Sequence, residues 1–183
     1  MVQPGHVQSL VGSWADPADG ESMKSRELIL LLLRETESPF SRDQFTPGHI
    51  TATACVLHPE EQSVLLVHHR RLQRWLLPGG HIERKVDASV GESARREAEE
   101  ETGVILQPYA SGMLVGLDVH GIPGRRKEPY HLHHDLIFRF QATSAVVQPT
   151  EEVRDVTWCP VQRFDEYDLP APIRRAASRA FAS

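Results

Sequence analysis

The chain has 183 residues, 40% hydrophobic and 25% charged, which suits one globular domain with room for an appendage. Its formal net charge of −5 argues against a general nucleic-acid or membrane-surface binder, though not against a local basic site. Cys55 and Cys159 sit far apart in apolar runs and read as buried reduced thiols, so a cytoplasmic setting is expected.

The opening MVQPGHVQSL lacks a basic segment followed by an apolar one, so no signal peptide is expected. Residues 1–20 are punctuated by Gly, Pro and Asp and read as loosely ordered or docked on the rest. A helix is predicted from Ser22 to about Glu37, with Ser22 or Ser25 as N-cap. Its apolar run, Leu28–Leu33, falls far short of the roughly 20 residues that span a bilayer and is expected to be buried. Residues 1–45 are thus an extension with one helix, and 46–183 the main domain.

Two strands follow, His49–His58 and Gln62–His69, and Arg74–Leu77 leads into a Pro78-Gly79-Gly80 turn. A helix fits Ala88–Thr102 with Gly103 as its stop. Val104–His120 is strand-like, residues 121–129 form a basic loop, and Tyr130–Ala142 is a second long strand. Val153–Cys159 is another strand, and 170–182 a final helix with Pro172 in its first turn. Strands with few, non-alternating helices predict an α+β fold.

The helix over 88–102 collects its acids at the end where the helix dipole disfavours them. At about 100° per residue, Glu97, Glu100 and Glu101 share one face. Gly91, Ala94 and Ala98 form a neighbouring face small enough to lie close against a sheet. Carboxylates at i and i+4 repel by a few tenths of a kcal/mol, and the dipole adds roughly 0.3–1 kcal/mol per charge. A divalent cation among them removes both costs. The plain alternative is a solvated acidic face. Arg96 lies beside Glu100 and can hold a ligating carboxylate, while Gly79 and Gly80 can bring bare backbone to a ligand.

Gly80 followed by Arg96-Glu97-Ala98-Glu99-Glu100-Glu101-Thr102-Gly103-Val104 resembles the Nudix box, G-x5-E-x7-R-E-U-x-E-E-x-G-U, with U aliphatic. The second half matches fully. From Gly80 to Arg96, however, the chain is two residues too long, and the early glutamate of the box falls on Ala88. Asp87 is taken as its substitute, with Arg84-Lys85-Val86 lengthening the loop. The likeness spans residues 42–165 and includes GHITATACVL and KEPYHLHHDLIFRF.

The resemblance implies a Nudix fold, a mixed β-sheet sandwiched between helices, with the N-terminal helical extension added. It implies a hydrolase that cleaves the diphosphate of a nucleoside diphosphate linked to another moiety, by water attack at phosphorus. Mg²⁺ or Mn²⁺ would be held by Glu97 and Glu101, with Glu100 as third ligand and the Gly79 carbonyl completing the set. Arg96 would position the carboxylates. The general base comes either from the box or from a later loop, where Glu152 or its neighbour Glu151 stands.

Along Tyr130–Phe140, His131, His133, Asp135, Ile137 and Arg139 share one strand face, while Leu132, His134, Leu136, Phe138 and Phe140 share the other. The second set reads as core. The first is polar enough to line a cleft beside the acidic helix, where His131, His133 and Asp135 would bind substrate. The His-x-His pair with an acid, joined by His120, also has transition-metal character. Arg70-Arg71 and Arg125-Arg126-Lys127 suit phosphate binding, with Arg70 and Arg126 singled out. The expected partner is a small nucleoside diphosphate derivative. No stable nucleic-acid or membrane binding is expected, and the N-terminal helix offers a homodimer surface. Two further readings stay open: a silent Nudix-fold sensor, and a diphosphate isomerase using Cys55.

Overall fold

A computed structural model describes residues 1–108, 112–125 and 128–182. In chain order its elements are α1 (Pro4–Ser13), α2 (Gly20–Glu35), β1 (Gly48–Leu57), β2 (Ser63–His69), β3 (Arg74–Leu76) and β4 (Gly79–His81). Then come α3 (Val90–Thr102), β5 (Met113–Ile122), β6 (His131–Gln141), β7 (Val153–Pro160), a 3-10 turn over Val161–Arg163 and α4 (Ala171–Ala182).

Strand β1 is the axis. It runs parallel to β6 from Gly48↔Leu132 to Leu57↔Gln141, and β5 lies antiparallel on β6's far side. On β1's other side its first half pairs with β4, while β2 meets it only at Leu57↔Val64. Strand β2 carries β3 and β7, so the seven-stranded mixed sheet branches.

One face of β1 is apolar along its length, and the other turns apolar only in its second half, where α4 covers it. Ile50, Ala52, Ala54 and Val56 join residues of α1, α2 and α3 in one core. Cys55, Leu57 and Ile137 join Ile173, Ala176, Ala177 and Ala180 of α4 in another. This is the expected α+β sandwich. Trp75 packs into the α4 core, edge-on to His68 and Tyr167.

Four local expectations change. Residues 4–13 form a helix, so the extension has two helices rather than one. Alone it is a weak helix, with glycines and no side-chain N-cap. Burial of Val2, Val7 and Val11 stabilises it, and Arg26 donates to the C-terminal carbonyls of Gly12 (2.6 Å) and Val11 (3.2 Å), the latter shared with the Trp14 amide. The run Leu28–Leu33 is split by helical period: Ile29, Leu32 and Leu33 are buried, whereas Leu28 and Leu31 are exposed. Residues 104–108 form no strand beyond the single bridge Leu106↔Ala142, and β5 begins at Met113. The Gly79-Gly80 turn is itself a strand, with Gly80 opposite Ala52 and Gly79 opposite Thr53.

The extension is tied to α4 by charge. Asp19 caps α2, accepting from the Ser22 amide (3.1 Å) and hydroxyl (2.5 Å), and also accepts from Arg179 (2.6 Å). Arg175 Nε lies 2.8 Å away as an ion pair. Burial opposes the charge on Asp19, but these partners outweigh it and hold the carboxyl well below the usual range. A depressed carboxylate contributes stability above its ordinary value of 3.8 and loses it as pH falls through the lower folded value. Asp19→Ala is expected to cost about 2 kcal/mol at neutral pH, with the gap from wild type closing in strong acid. Denaturant melts at both pH values check it; a pH-independent gap would contradict the ionic origin.

Candidate active site

Helix α3 begins at Ser89, whose hydroxyl accepts the Glu92 amide at 3.1 Å, and ends at Gly103, left-handed at φ 63°. Its small face, Gly91, Ala94 and Ala98, is buried as expected, together with Val90, Ser93 and Thr102. Close packing on β1 and β4 follows, and it carries the acids towards the glycine strand.

Glu101 is buried, and its Oε2 accepts the Gly79 amide at 3.1 Å. The Glu97 carboxyl occupies the space a side chain on Gly80 would need, 2.7–2.8 Å from an ideal Cβ. The absent side chain at Gly80 thus makes room for a carboxylate. Glu100 is more exposed, and Glu99 points away to pair with Arg95 at 3.2 Å.

One guanidinium organises the cluster. Arg96 donates to Glu97 (3.0 Å), Glu100 (2.9 Å), Asp87 (3.0 and 3.2 Å) and the His81 carbonyl (3.0 Å). Asp87 is buried and also accepts from the Glu83 amide (2.7 Å) and the Ser93 hydroxyl (2.6 Å). It pins the over-long loop to α3 and is saturated by these donors. Burial disfavours its charge, but Arg96, Ser93 and the Glu83 amide lower its pKa.

The C-terminal carbonyls of α3 meet a second loop. Gln148 N–H donates to Thr102 O (2.9 Å), and Thr150 donates to Glu101 O through its amide and hydroxyl (both 3.3 Å). That docking sets Glu152 near enough to raise the pKa of Glu97 and Glu101. Arg70 Nε donates to Val153 O at 2.9 Å, so Arg70 stands beside Glu152. Arg71 pairs with Glu128 at 3.3 Å, and Arg126 lies outside the described residues.

The electrostatics fit a cation. Burial pushes Glu101 up to about 8, helped by Glu97, Glu152 and Glu100 and opposed by the Gly79 amide. Burial pushes Glu97 up to about 6 against the pull of Arg96. Ionising Glu101 at neutral pH therefore calls for more positive charge than its surroundings supply. Oxygen donors gathered beside bare glycine backbone suit a hard divalent ion.

His131, His133 and Asp135 do not lie beside α3. They occupy the opposite sheet face, because Leu136, Phe138 and Phe140 share the core with Val90, Ala94 and Ala98. On that face Asp135 Oδ1 accepts from Thr51 and Thr53, both at 3.0 Å. His133 is ringed by imidazoles, with centroids at 4.9 Å (His49), 5.3 Å (His131), 5.4 Å (His81) and 5.7 Å (His120). The same face does not stay polar: Ile137 enters the α4 core, and Arg139 donates to Ala180 O at 2.8 Å. The sequence reading missed His49 and His81, which reach His133 only through the β1–β6 and β1–β4 registers. Cys55 is fully buried and its thiol is pushed up to about 12, so it is no nucleophile and the isomerase reading falls.

A family profile described as NUDIX domain matches residues 48–181. Among solved structures, the Nudix domain of Shewanella oneidensis NrtR, complexed with ADP-ribose, is similar at 22% identity and TM-score 0.50. That match covers 83% of this chain and 96% of the other. A Nudix-family hydrolase from Clostridium perfringens is similar at 22% identity and TM-score 0.54, covering 73% and 97%. A C. elegans Ap4A hydrolase aligns at 15% identity and TM-score 0.50, covering 73% and 95%. No curated protein sequence matches significantly. With the profile spanning most of the sequence and these structures sharing the fold, the chain belongs to the Nudix hydrolase family.

Proposed function

We propose that this chain is a Mg²⁺- or Mn²⁺-dependent hydrolase. Its substrate would be a nucleoside diphosphate linked to another moiety, cleaved by water attack at phosphorus. The observation that carries this reading is the pairing of half-buried Glu97 with buried Glu101, set against Gly80 and Gly79. Glu97, Glu100, Glu101 and the Gly79 carbonyl would hold the ion. When bound, it neutralises diphosphate charge and acidifies a water. Arg96 keeps Glu97 and Glu100 turned inward, so their orientation is set before substrate arrives. Glu152, on an exposed turn facing the acids, can take the proton from the attacking water, with Glu100 as the alternative within the box.

Arg70, beside Glu152, and Arg126 would grip phosphate oxygens. His131, His133 and Asp135 would contact the rest of the substrate on the far side of β4. His133→Ala is expected to raise KM at least about fivefold with little change in Tm. Unchanged kinetics would remove that assignment. Residues 46–183 form the catalytic domain in this reading, with 1–45 an integral extension. The exposed Leu28 and Leu31 give α2 a surface for a homodimer, which solution mass decides. No described helix is long and apolar enough to cross a membrane. The buried free thiols support a cytoplasmic enzyme, and the negative charge one without nucleic-acid partners.

The test is product release from a panel of nucleoside diphosphate derivatives, including ADP-ribose and Ap4A, with Mg²⁺ or Mn²⁺. Turnover that depends on the ion supports the hydrolase. Metal-independent binding without turnover would establish the silent sensor instead; the three intact box acids on α3 speak against it.

A further inference from the structure

Three histidines on the face away from α3 converge closely enough to share one ion. The geometry points to a second metal site, in which His49, His131 and His133 bind a transition-metal cation of the Zn²⁺ class through ring nitrogens. It is separate from the carboxylate site and does not depend on how that site works.

The arrangement of donors comes first. One ligand nitrogen from each of the three residues lies within 4.8 Å of the other two. Tetrahedral Zn–N bonds of about 2.0–2.1 Å place ligand nitrogens roughly 3.3 Å apart. Side-chain rotations of about an ångström would therefore close the shell.

Tautomers are already set for ligation. His49 Nδ1 lies 3.1 Å from Gln44 O, and His131 Nδ1 lies 2.8 Å from Pro129 O. A carbonyl cannot donate, so each Nδ1 must carry the proton, which leaves a lone pair on each Nε2. This is the outer-shell pattern of metal-binding histidines, in which the second ring nitrogen is held by a backbone oxygen.

An independent sign comes from His49. Only 1% of its surface is exposed, and its Nε2 has no hydrogen-bond partner. A buried acceptor without a partner is costly, typically about 1–3 kcal/mol, and a metal bond removes that cost.

Nitrogen donors favour Zn²⁺ or a similar ion, whereas the all-oxygen cluster on α3 favours Mg²⁺. Strand β4 separates the two, turning Gly80 towards Glu97 and His81 towards the imidazoles. Three protein ligands leave a fourth position for water or a substrate oxygen.

The experiment uses full-length protein stripped with a chelator and held in excess Mg²⁺. Co²⁺ is the probe, read by the visible absorption of tetrahedral cobalt, and Zn²⁺ is titrated against it. One Co²⁺ per chain, displaced by one Zn²⁺ and retained in Glu101→Gln, is expected. His131→Ala and His133→Ala should each weaken Zn²⁺ binding by more than about 100-fold, beyond the effect of losing an outer-shell partner. X-ray absorption at the zinc edge of wild type should show three nitrogen neighbours, and this needs no variant to fold. Lack of stoichiometric uptake, an oxygen-only shell, or uptake lost in Glu101→Gln but kept in the histidine variants would overturn the site. Failure of the hydrolase reading shows separately, as absent Mg²⁺-dependent turnover.

Discussion

Glu101→Gln is expected to lower kcat roughly a hundred- to a thousandfold while leaving the fold intact. An ion that neutralises developing phosphate charge contributes several kcal/mol to the transition state, and each 1.36 kcal/mol is about tenfold in rate. Gln keeps the side-chain volume and an oxygen that can accept the Gly79 amide, so the contact at 3.1 Å survives. What disappears is a charge. Because burial and the neighbouring glutamates push that carboxyl up to about 8, ionising it at neutral pH opposes folding when no metal is present. The metal-free variant should therefore be at least as stable as metal-free wild type. Steady-state kinetics with Mg²⁺ and thermal melts with chelator read both effects. Activity within about threefold of wild type would remove Glu101 from the metal shell and with it the main support for the proposed chemistry.

Gly80→Ala and Gly79→Ala should fail in different ways, although the residues are adjacent. A Cβ on Gly80 meets the Glu97 carboxyl at 2.7–2.8 Å, the movable end of a long side chain. Glu97 can swing away, so the protein should fold and lose about a hundredfold or more in kcat as a ligand is displaced. A Cβ on Gly79 meets Ala52 O at 2.6 Å and the Thr53 Cα at 2.8 Å, both backbone atoms of β1. Relief there means breaking the β1–β4 pairing, and a loss of about 3 kcal/mol or more of stability is expected. Parallel melts and kinetics separate the two. A destabilised but active Gly80→Ala would show that Glu97 is not a ligand whose position matters.

Much of the acidic centre was legible in the sequence because its parts are local. Three glutamates on one arc, a basic residue one turn from Glu100 and a glycine stop all follow from helical period over fifteen residues. The small face of α3 came from the same stretch, whereas Asp87 was picked out only by the likeness to the family motif. The histidine site was half legible. His131 and His133 announce themselves by alternation along one strand, but nothing near them in sequence points to His49 or His81. Those two are joined to them by strand register, which is settled by which faces must be buried. The short helix α1 escaped for a related reason: its propensity is poor, and the burial that stabilises it is supplied by α2.

By itself, the sequence pointed to the class of fold and to the carboxylates gathered on α3, since periodicity and spacing survive in one dimension, and to the family through the likeness of its motif. Tertiary structure alone decided the rest. It turned the Gly79-Gly80 pair into a strand facing Glu97, bound the N-terminal extension to α4 through Asp19, and moved His131, His133 and Asp135 to the face away from α3. The physical reason is common to all three. A side chain's direction follows from local backbone geometry, but what it meets depends on which sheet face is covered, and that is fixed only when distant apolar surfaces pack together.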